Sequence, residues 1–145
     1  MLSSLRLTRI VGVLAGLALF GCGSSTPVSP DQSNVPFSAT DLVVGTGTVA
    51  TPGTKVTVSY TGWLYNETAP DHKGNQFGSS TFSFILGDTG PQGTIPGFDQ
   101  GVTGMKVGGS RRLIVPPALA YGATGNGPIP PNAALVFDVQ LTTVQ

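Results

Sequence analysis

The chain has 145 residues, a length typical of one domain with a terminal extension and short for two domains. Seven basic and seven acidic residues give zero formal net charge, which excludes a basic nucleic-acid-binding protein, and the hydrophobic content of 39% excludes an acidic disordered tail. One cysteine and one histidine exclude an intramolecular disulfide and a cysteine-rich metal site, and they argue against a hydrolase of the Ser-His-Asp or Cys-His type.

The first 21 residues have the organisation of a secretory signal peptide. Two arginines precede an uncharged apolar run over residues 10–20, which is too short to cross a bilayer as a helix. The run ends in Leu19-Phe20-Gly21-Cys22, which resembles the bacterial lipobox, in which the cysteine is lipidated and becomes the first residue. The alternative is an ordinary signal peptide with an incidental cysteine. We expect a signal peptide over residues 1–21 and a membrane anchor on Cys22.

A polar segment rich in proline and serine follows the cysteine. Residues 22–39 show no apolar periodicity, so the sequence predicts a flexible tether there and a folded domain over residues 40–145. Gly23 stands where an aspartate would favour retention in the inner membrane. We therefore expect an anchor in the outer membrane of the cell envelope, with the domain facing the periplasm.

Alternation of apolar and polar residues predicts that the domain is mostly β-structure. Lys55–Trp63 alternates strictly, with Val56, Val58 and Tyr60 on one face. Other strands are predicted at 41–44, 81–86, 111–115 and 134–144, with loops at 66–76, 87–93 and 121–131. The one helix candidate, residues 98–105, is short and contains two glycines. An antiparallel sheet with one short helix is an α+β fold.

Five motifs of the domain resemble those of the FKBP-type peptidyl-prolyl cis-trans isomerases. They are Val58-Ser59-Tyr60-Thr61-Gly62, Ile95-Pro96-Gly97-Phe98-Asp99-Gln100-Gly101-Val102, Gly104-Met105-Lys106-Val107-Gly108, Leu119-Ala120-Tyr121-Gly122 and the segment 129–139. All five occur in the order and spacing of that family. The resemblance implies a twisted antiparallel β-sheet wrapped around one short α-helix, and an enzyme that accelerates rotation about X-Pro bonds.

Such a reaction needs neither a metal nor a cofactor. The barrier to rotation is about 18–20 kcal/mol because the C–N bond has partial double-bond character, and no bond is broken. An apolar pocket can favour the twisted amide by removing water from it and by fitting the proline ring. The scarcity of histidine, cysteine and charge in this chain is compatible with that chemistry.

The resemblance also assigns site residues. The aromatic catalytic positions are Tyr60, Phe82, Phe98, Tyr121 and Phe137, and the substrate-binding aliphatic positions are Ile95 and Ile129. The backbone N–H of Ile95 and the hydroxyl of Tyr121 would bind substrate carbonyls. Phe77 fits either a pocket wall or the core. From strand alternation alone, Tyr60 and Phe137 could equally be core residues.

Three positions depart from the family pattern. Gly78 replaces a pocket-facing aspartate, Phe98 replaces the common tryptophan at the pocket floor, and residues 66–76 resemble an inserted loop. Phe98 keeps an aromatic surface but loses the indole N–H. These departures bear on the catalytic rate more than on the fold.

The expected function is therefore isomerisation of X-Pro bonds during the folding of exported proteins. Alternatives are a chaperone or binding module with the same pocket and little turnover, or a structural envelope protein. The expected partners are proline-containing polypeptides, the macrolide inhibitors of the family and, through the lipid, a membrane. Nucleic acid is not expected as a partner, and a monomer is.

Overall fold

The computed structural model describes residues 31–90 and 93–145, so the predicted signal peptide, Cys22 and the first part of the predicted tether lie outside the described residues. Within the described residues the chain forms five strands and one α-helix. These are β1 (Ser38–Val43), β2 (Lys55–Tyr65), β3 (Lys73–Ile85), α1 (Pro96–Val102), β4 (Ser110–Val115) and β5 (Leu135–Val144). Short 3₁₀ turns cover Pro70–His72 and Pro117–Leu119. In the part of the chain so described, no helix is long and apolar enough to cross a membrane.

The strands form one antiparallel sheet in the order β1-β4-β5-β2-β3. Helix α1 packs on the apolar face of this sheet, where Gly97 and Gly101 approach the side chains of Val115 and Leu113 on β4. The core lies between the helix and the strands, and its residues include Val58, Phe98 and Leu141. The predicted α+β fold is confirmed, with one short helix covering the sheet.

The two faces of β2 differ as the alternation predicts. Val56 and Val58 are buried, and Tyr60 is half-buried at the edge of the same cluster. On the opposite, exposed face the hydroxyls of Thr57 and Ser59 hydrogen-bond to hydroxyls of β3, each at an O–O distance of 2.7 Å. Cross-strand pairs of this kind fix the register of β2 against β3.

The predicted loop at 66–76 is wrong over its last four residues. Strand β3 already begins at Lys73, and β2 continues to Tyr65, so the two strands form a hairpin longer than expected. The ammonium group of Lys73 lies 4.0 Å from the centroid of the Trp63 ring. This end of the hairpin extends past the core, so neither of its faces is buried. For that reason the sequence shows no alternation of apolar and polar residues from which the strand could be predicted.

The N-terminal boundary also differs from the prediction. Strand β1 begins at Ser38, before the expected start at residue 40. Earlier still, the Gln32 side-chain amide donates to the Tyr65 carbonyl over 3.1 Å and accepts from the Ala134 N–H over 2.7 Å. Phe37 packs against the core. The last part of the predicted tether therefore belongs to the domain, through contacts that a polar sequence does not reveal.

Helix α1 starts and ends earlier than the predicted span of 98–105. Pro96 occupies the first turn, where a backbone N–H would have no intrahelical partner. Gly104 lies just beyond the end of the helix and has a φ of 83°, which does not continue a right-handed helix. Arg111 Nη1 then donates to the carbonyls of Gly101 and Thr103 over 2.9 and 3.2 Å. These bonds satisfy carbonyls at the helix end that lack an intrahelical partner. Arg111 Nε also donates to Asp41 over 2.6 Å, which links β1 to the same point.

An ion cluster lies on the sheet face opposite the helix. Asp138 accepts from Arg112 Nε at 2.7 Å and Nη2 at 3.0 Å, and from Lys73 Nζ at 2.6 Å, while Arg112 also contacts Asp71. Partial burial acts to raise the pKa of Asp138, but the hydrogen bonds from Arg112 and Lys73 outweigh it, so the pKa lies below its usual value.

We expect this cluster to make stability fall in acid. Because the folded-state pKa of Asp138 is depressed, its contribution is present above the unfolded value of about 3.9 and is lost as pH falls through the folded value. The side chain retains 26% exposure, so we expect a contribution of about 1–2 kcal/mol. Urea unfolding should show that Asp138→Asn has a lower free energy of unfolding than the wild-type protein at neutral pH. The variant should also lose less of its free energy of unfolding than the wild-type protein when the pH is lowered. If the wild-type protein and Asp138→Asn lost the same stability in acid, other carboxylates would be responsible for that loss.

Candidate functional site

Four aromatic rings from three strands and the helix meet on the apolar face of the sheet. We call Tyr60, Phe82, Phe98 and Phe137 the aromatic cluster. The Tyr60 ring centroid lies 5.7, 5.7 and 5.8 Å from those of the three phenylalanines. Phe98 and Phe137 meet edge to face at 5.3 Å. Such edge contacts are favourable between aromatic quadrupoles and hold each ring in one orientation.

Two rings of the cluster, Tyr60 and Phe82, line a cavity of about 560 Å³, which we call the aromatic cavity. Tyr60 and Phe82 are half-buried, whereas Phe98 and Phe137 are 2% and 4% exposed, contact the Tyr60 ring from the core side and do not themselves line the cavity. Ile95 and Tyr121 complete the wall. Among the described residues, no Asp, Glu, Lys, Arg, His or Cys lines this cavity. The site can desolvate an apolar group, and among the described residues its lining offers hydroxyl and amide groups but no carboxylate, amine, imidazole or thiol.

Two hydrogen-bonding groups at this wall have no partner among the described residues. The Ile95 carbonyl accepts bonds from the N–H groups of Phe98 and Asp99, but the Ile95 N–H makes none. The Tyr121 hydroxyl also makes none to a described residue. Both groups are therefore available to bind carbonyls of a ligand, as the resemblance implies.

Local backbone geometry holds Tyr121 at this place. The next residue, Gly122, has a φ of 54°, a conformation that glycine adopts without strain. Its N–H donates to the Pro117 carbonyl over 2.9 Å, and its carbonyl accepts from Asn132 over 2.8 Å. The turn that follows the Pro117–Leu119 helix is thereby fixed at both ends.

Phe77 reaches the cluster through a β-bulge. Gly62 pairs with Gly78 and Trp63 with Gln76, so Phe77 is an extra residue in β3. The bulge turns its ring inward against Phe137, at a centroid distance of 5.7 Å. A side chain on Gly62 would overlap this ring, so glycine is needed there. Phe77 thus packs against the core beside Phe137 and does not line the aromatic cavity.

The structure places Ile129 in the core as well. It is 6% exposed, does not line the aromatic cavity, and is held by two backbone hydrogen bonds to Asn126, each 2.9 Å long. In contrast, Ser80 and Asn126 line the cavity without having been predicted. Alternation was the available signal for Ser80, because it precedes Phe82 by two residues on one strand.

A larger cavity, about 730 Å³, lies elsewhere on the domain. It is bounded by residues 31–36 and by the turn between β2 and β3, and its lining includes Asp31 and Glu67. None of the aromatic cluster lines it. The aromatic cavity is the functional candidate because it unites exposed aromatic surface with two available hydrogen-bonding groups. Nor do the described residues contain a group of three or more His, Cys, Asp or Glu side chains that could hold a metal ion.

Comparison with known proteins identifies one family. The sequence profile of the FKBP-type peptidyl-prolyl cis-trans isomerases matches residues 47–142. An FK506-binding protein of Neisseria meningitidis is 42% identical over 105 residues, which cover 72% of this chain and 92% of that protein. A 46 kDa FK506-binding nuclear protein of Spodoptera frugiperda is 46% identical over 110 residues, 74% of this chain, but the chain spans only 25% of that longer relative.

A solved structure agrees. The peptidyl-prolyl cis-trans isomerase of Pseudomonas syringae pv. tomato superposes with a TM-score of 0.61 and 31% identity, covering 81% of this chain and 84% of that one. The family profile covers strands β2 to β4, most of β5, the helix and the residues that line the aromatic cavity, whereas β1 lies before the matched region. The chain belongs to the FKBP-type peptidyl-prolyl cis-trans isomerase family.

Proposed function

We propose that this protein catalyses cis–trans isomerisation of X-Pro bonds in exported polypeptides as they fold. The observation that carries the proposal is the aromatic cavity, an uncharged site lined by aromatic rings and bordered by two available hydrogen-bonding groups. Rotation about an X-Pro bond takes tens to hundreds of seconds without a catalyst, slow enough to limit folding. A site that only favours the twisted amide is sufficient for this reaction.

Each part of the site has a role in this mechanism. The proline ring enters between Tyr60 and Phe82 above Phe98, so the amide loses water and the conjugated planar form loses its advantage. The Ile95 N–H and the Tyr121 hydroxyl bind carbonyls flanking the rotating bond. Because these groups are fixed by α1 and by the Gly122 turn, they hold the ends of the substrate while the bond rotates.

The experiment that tests the proposal measures isomerisation of a short X-Pro peptide in the presence of the protein. We expect an acceleration proportional to protein concentration, lost after heat denaturation. The alternative is a binding module with little turnover, which the absence of an acceptor at Gly78 favours. Tight binding of the peptide without acceleration would support that alternative and contradict catalysis.

Gly78 offers a second test of how the site works. Its position, paired with Gly62 in β3, lies on the face that carries Ser80 and Phe82, and a Cβ there would meet nothing within 4 Å. Its φ is not positive, so Gly78→Asp should fold without strain. We expect the carboxylate to strengthen binding of FK506-type macrolides up to about tenfold and to raise activity little, since an acceptor used equally in both states does not raise turnover.

Titration of the macrolide against both proteins measures this effect, with thermal melts to confirm equal folding. Ser79→Asp is the matched control, because Ser79 alternates with Gly78 and lies on the exposed face of the sheet. Weaker macrolide binding by a well-folded Gly78→Asp protein would contradict the placement of residue 78 beside the cavity.

We further propose that the protein is a monomer anchored in the outer membrane by lipid on Cys22, with its domain in the periplasm. The support is the order of basic residues, apolar run and Cys22 at the start of the chain. Each buried methylene of an acyl chain contributes about 0.8 kcal/mol, so several chains on one cysteine give stable anchoring.

Mass spectrometry of the mature protein tests the anchor. We expect the chain to begin at an acylated Cys22 and to fractionate with membranes, whereas Cys22→Ser should abolish acylation and release the protein from them. A wild-type protein that begins at another residue and is released freely would contradict the anchor and leave the isomerase proposal intact.

A further inference from the structure

One edge of the sheet is open beside the aromatic cavity. Strand β3 is the last strand on its side, and no backbone group between Gly74 and Phe84 bonds to a described residue outside β2. The run from Gly74 to Ile85 contains no charged residue and no proline. Folded proteins usually blunt an exposed edge with charge, proline or short length, because unpaired N–H and C=O groups recruit another strand. Bulges also blunt an edge, and two lie along the run, one at Phe77 and one between Lys73 and Gln76, so residues 78–85 form the regular part of the edge.

The open edge and the aromatic cavity share residues. Ser80 and Phe82 of β3 line the cavity, while Ser79, Thr81 and Ser83 between and beside them lie on the exposed face. The other edge strand, β1, contributes nothing to the cavity lining. A polypeptide that leaves the cavity beside Phe82 would therefore meet free backbone donors and acceptors immediately.

We propose that β3 binds the segment of the client polypeptide next to its X-Pro bond as an added β-strand. This inference rests on the proposed isomerase function and names the form of its substrate. The occupant is an extended segment without a second proline, because alternate N–H groups must donate to β3. Residues 79–85 span about 23 Å at about 3.3 Å per residue, so about six client residues would occupy the edge.

The test compares three peptides with the full chain. One is a short X-Pro peptide confined to the cavity, and each of the other two adds about six residues, one before the proline and one after it. We expect one of the long peptides to lower KM about two- to tenfold relative to the short one, because each main-chain hydrogen bond adds a modest gain. N-methylation of the extension should remove this gain at the alternate positions whose N–H groups donate to β3. N-methylation at the positions between them should leave the gain unchanged.

Amide hydrogen exchange gives a readout that does not depend on turnover. The long peptide should slow exchange of alternate amides within residues 79–85 by about tenfold or more, and the short peptide should not. Turnover of the short peptide with no length effect and unchanged exchange would overturn the inference while sustaining the proposed function. Protection by the long peptide without turnover would sustain the inference and contradict catalysis. Protection that needs no peptide and rises with protein concentration would overturn it, since the edge would then pair with a second copy of this chain.

Discussion

Phe98→Ala is expected to abolish most of the activity of this protein and to destabilise it. The Phe98 ring contacts four others, with centroids at 5.7 Å from Tyr60 and Phe82, 6.0 Å from Phe84 and 5.3 Å from Phe137. Its removal leaves a void under the cavity, and truncation of a buried phenylalanine lowers the free energy of unfolding by about 3–5 kcal/mol. Loss of the Phe98 ring should lower kcat/KM about tenfold to hundredfold. A factor of this size corresponds to the free energy gained by burying one apolar side chain.

Phe84→Ala is the matched control for the loss of stability. Phe84 is also buried and stacks on Phe82 at 5.3 Å, but unlike Phe98 it makes no ring contact with Tyr60 or Phe137. Both variants should be assayed at a temperature at which circular dichroism shows each to be folded. We expect kcat/KM to fall much further for Phe98→Ala than for Phe84→Ala. Equal activities of two folded variants would show that the ring of Phe98 does not serve catalysis.

Gly101→Val should destabilise the domain by about 3 kcal/mol, the upper part of the range for overpacking a core. A Cβ on Gly101 would overlap both δ-carbons of Leu113, which is fully buried on β4. Neither element can move without disturbing the cluster, because α1 carries Phe98 and Arg111 ties its end to β1. A loss of this size should lower Tm by roughly 10–20 °C in a domain of this length.

The control for Gly101→Val is Gln100→Val, one residue earlier on the exposed side of the same helix. It introduces the same β-branched side chain with its lower helix propensity but no overlap in the core. We expect a change in Tm of only a few degrees for this control, on the order of what a propensity difference below about 1 kcal/mol produces. Similar melting of the two variants would contradict the close packing of α1 on β4.

The residues that the sequence predicted best are those governed by alternation. The faces of β2 follow from a period of two, which puts Tyr60 on the apolar side, whereas a place at the pocket for Tyr60 and Phe82 was implied by the family motifs; both line the cavity. Phe98 and Phe137 also reach the cluster, as the family motifs imply. The ambiguity between core and pocket for Tyr60 and Phe137 has a physical basis, because both rings touch the core and the site together.

What the sequence could not predict depends on contacts between distant segments. The inward ring of Phe77 requires a bulge opposite Gly62, and no alternation rule reports an extra residue in one strand. Ile129 matches a wall position by motif, yet the turn that Asn126 closes brings it into the core. The side chain of Gln32 hydrogen-bonds to Tyr65 and Ala134, which are remote from it in the chain. No local pattern reports such bonds, so the polar segment was assigned to the tether although its end belongs to the domain.

The central claim is that a neutral aromatic cavity catalyses rotation without proton transfer. The most direct test is kcat/KM of the protein for a short X-Pro peptide, measured from about pH 6 to about pH 8, where a histidine or cysteine catalyst would titrate. Since no Asp, Glu, Lys, Arg, His or Cys among the described residues lines the cavity, we predict clear acceleration that changes less than about twofold over this range. No acceleration, or a rate that follows a single ionisation, would contradict the account.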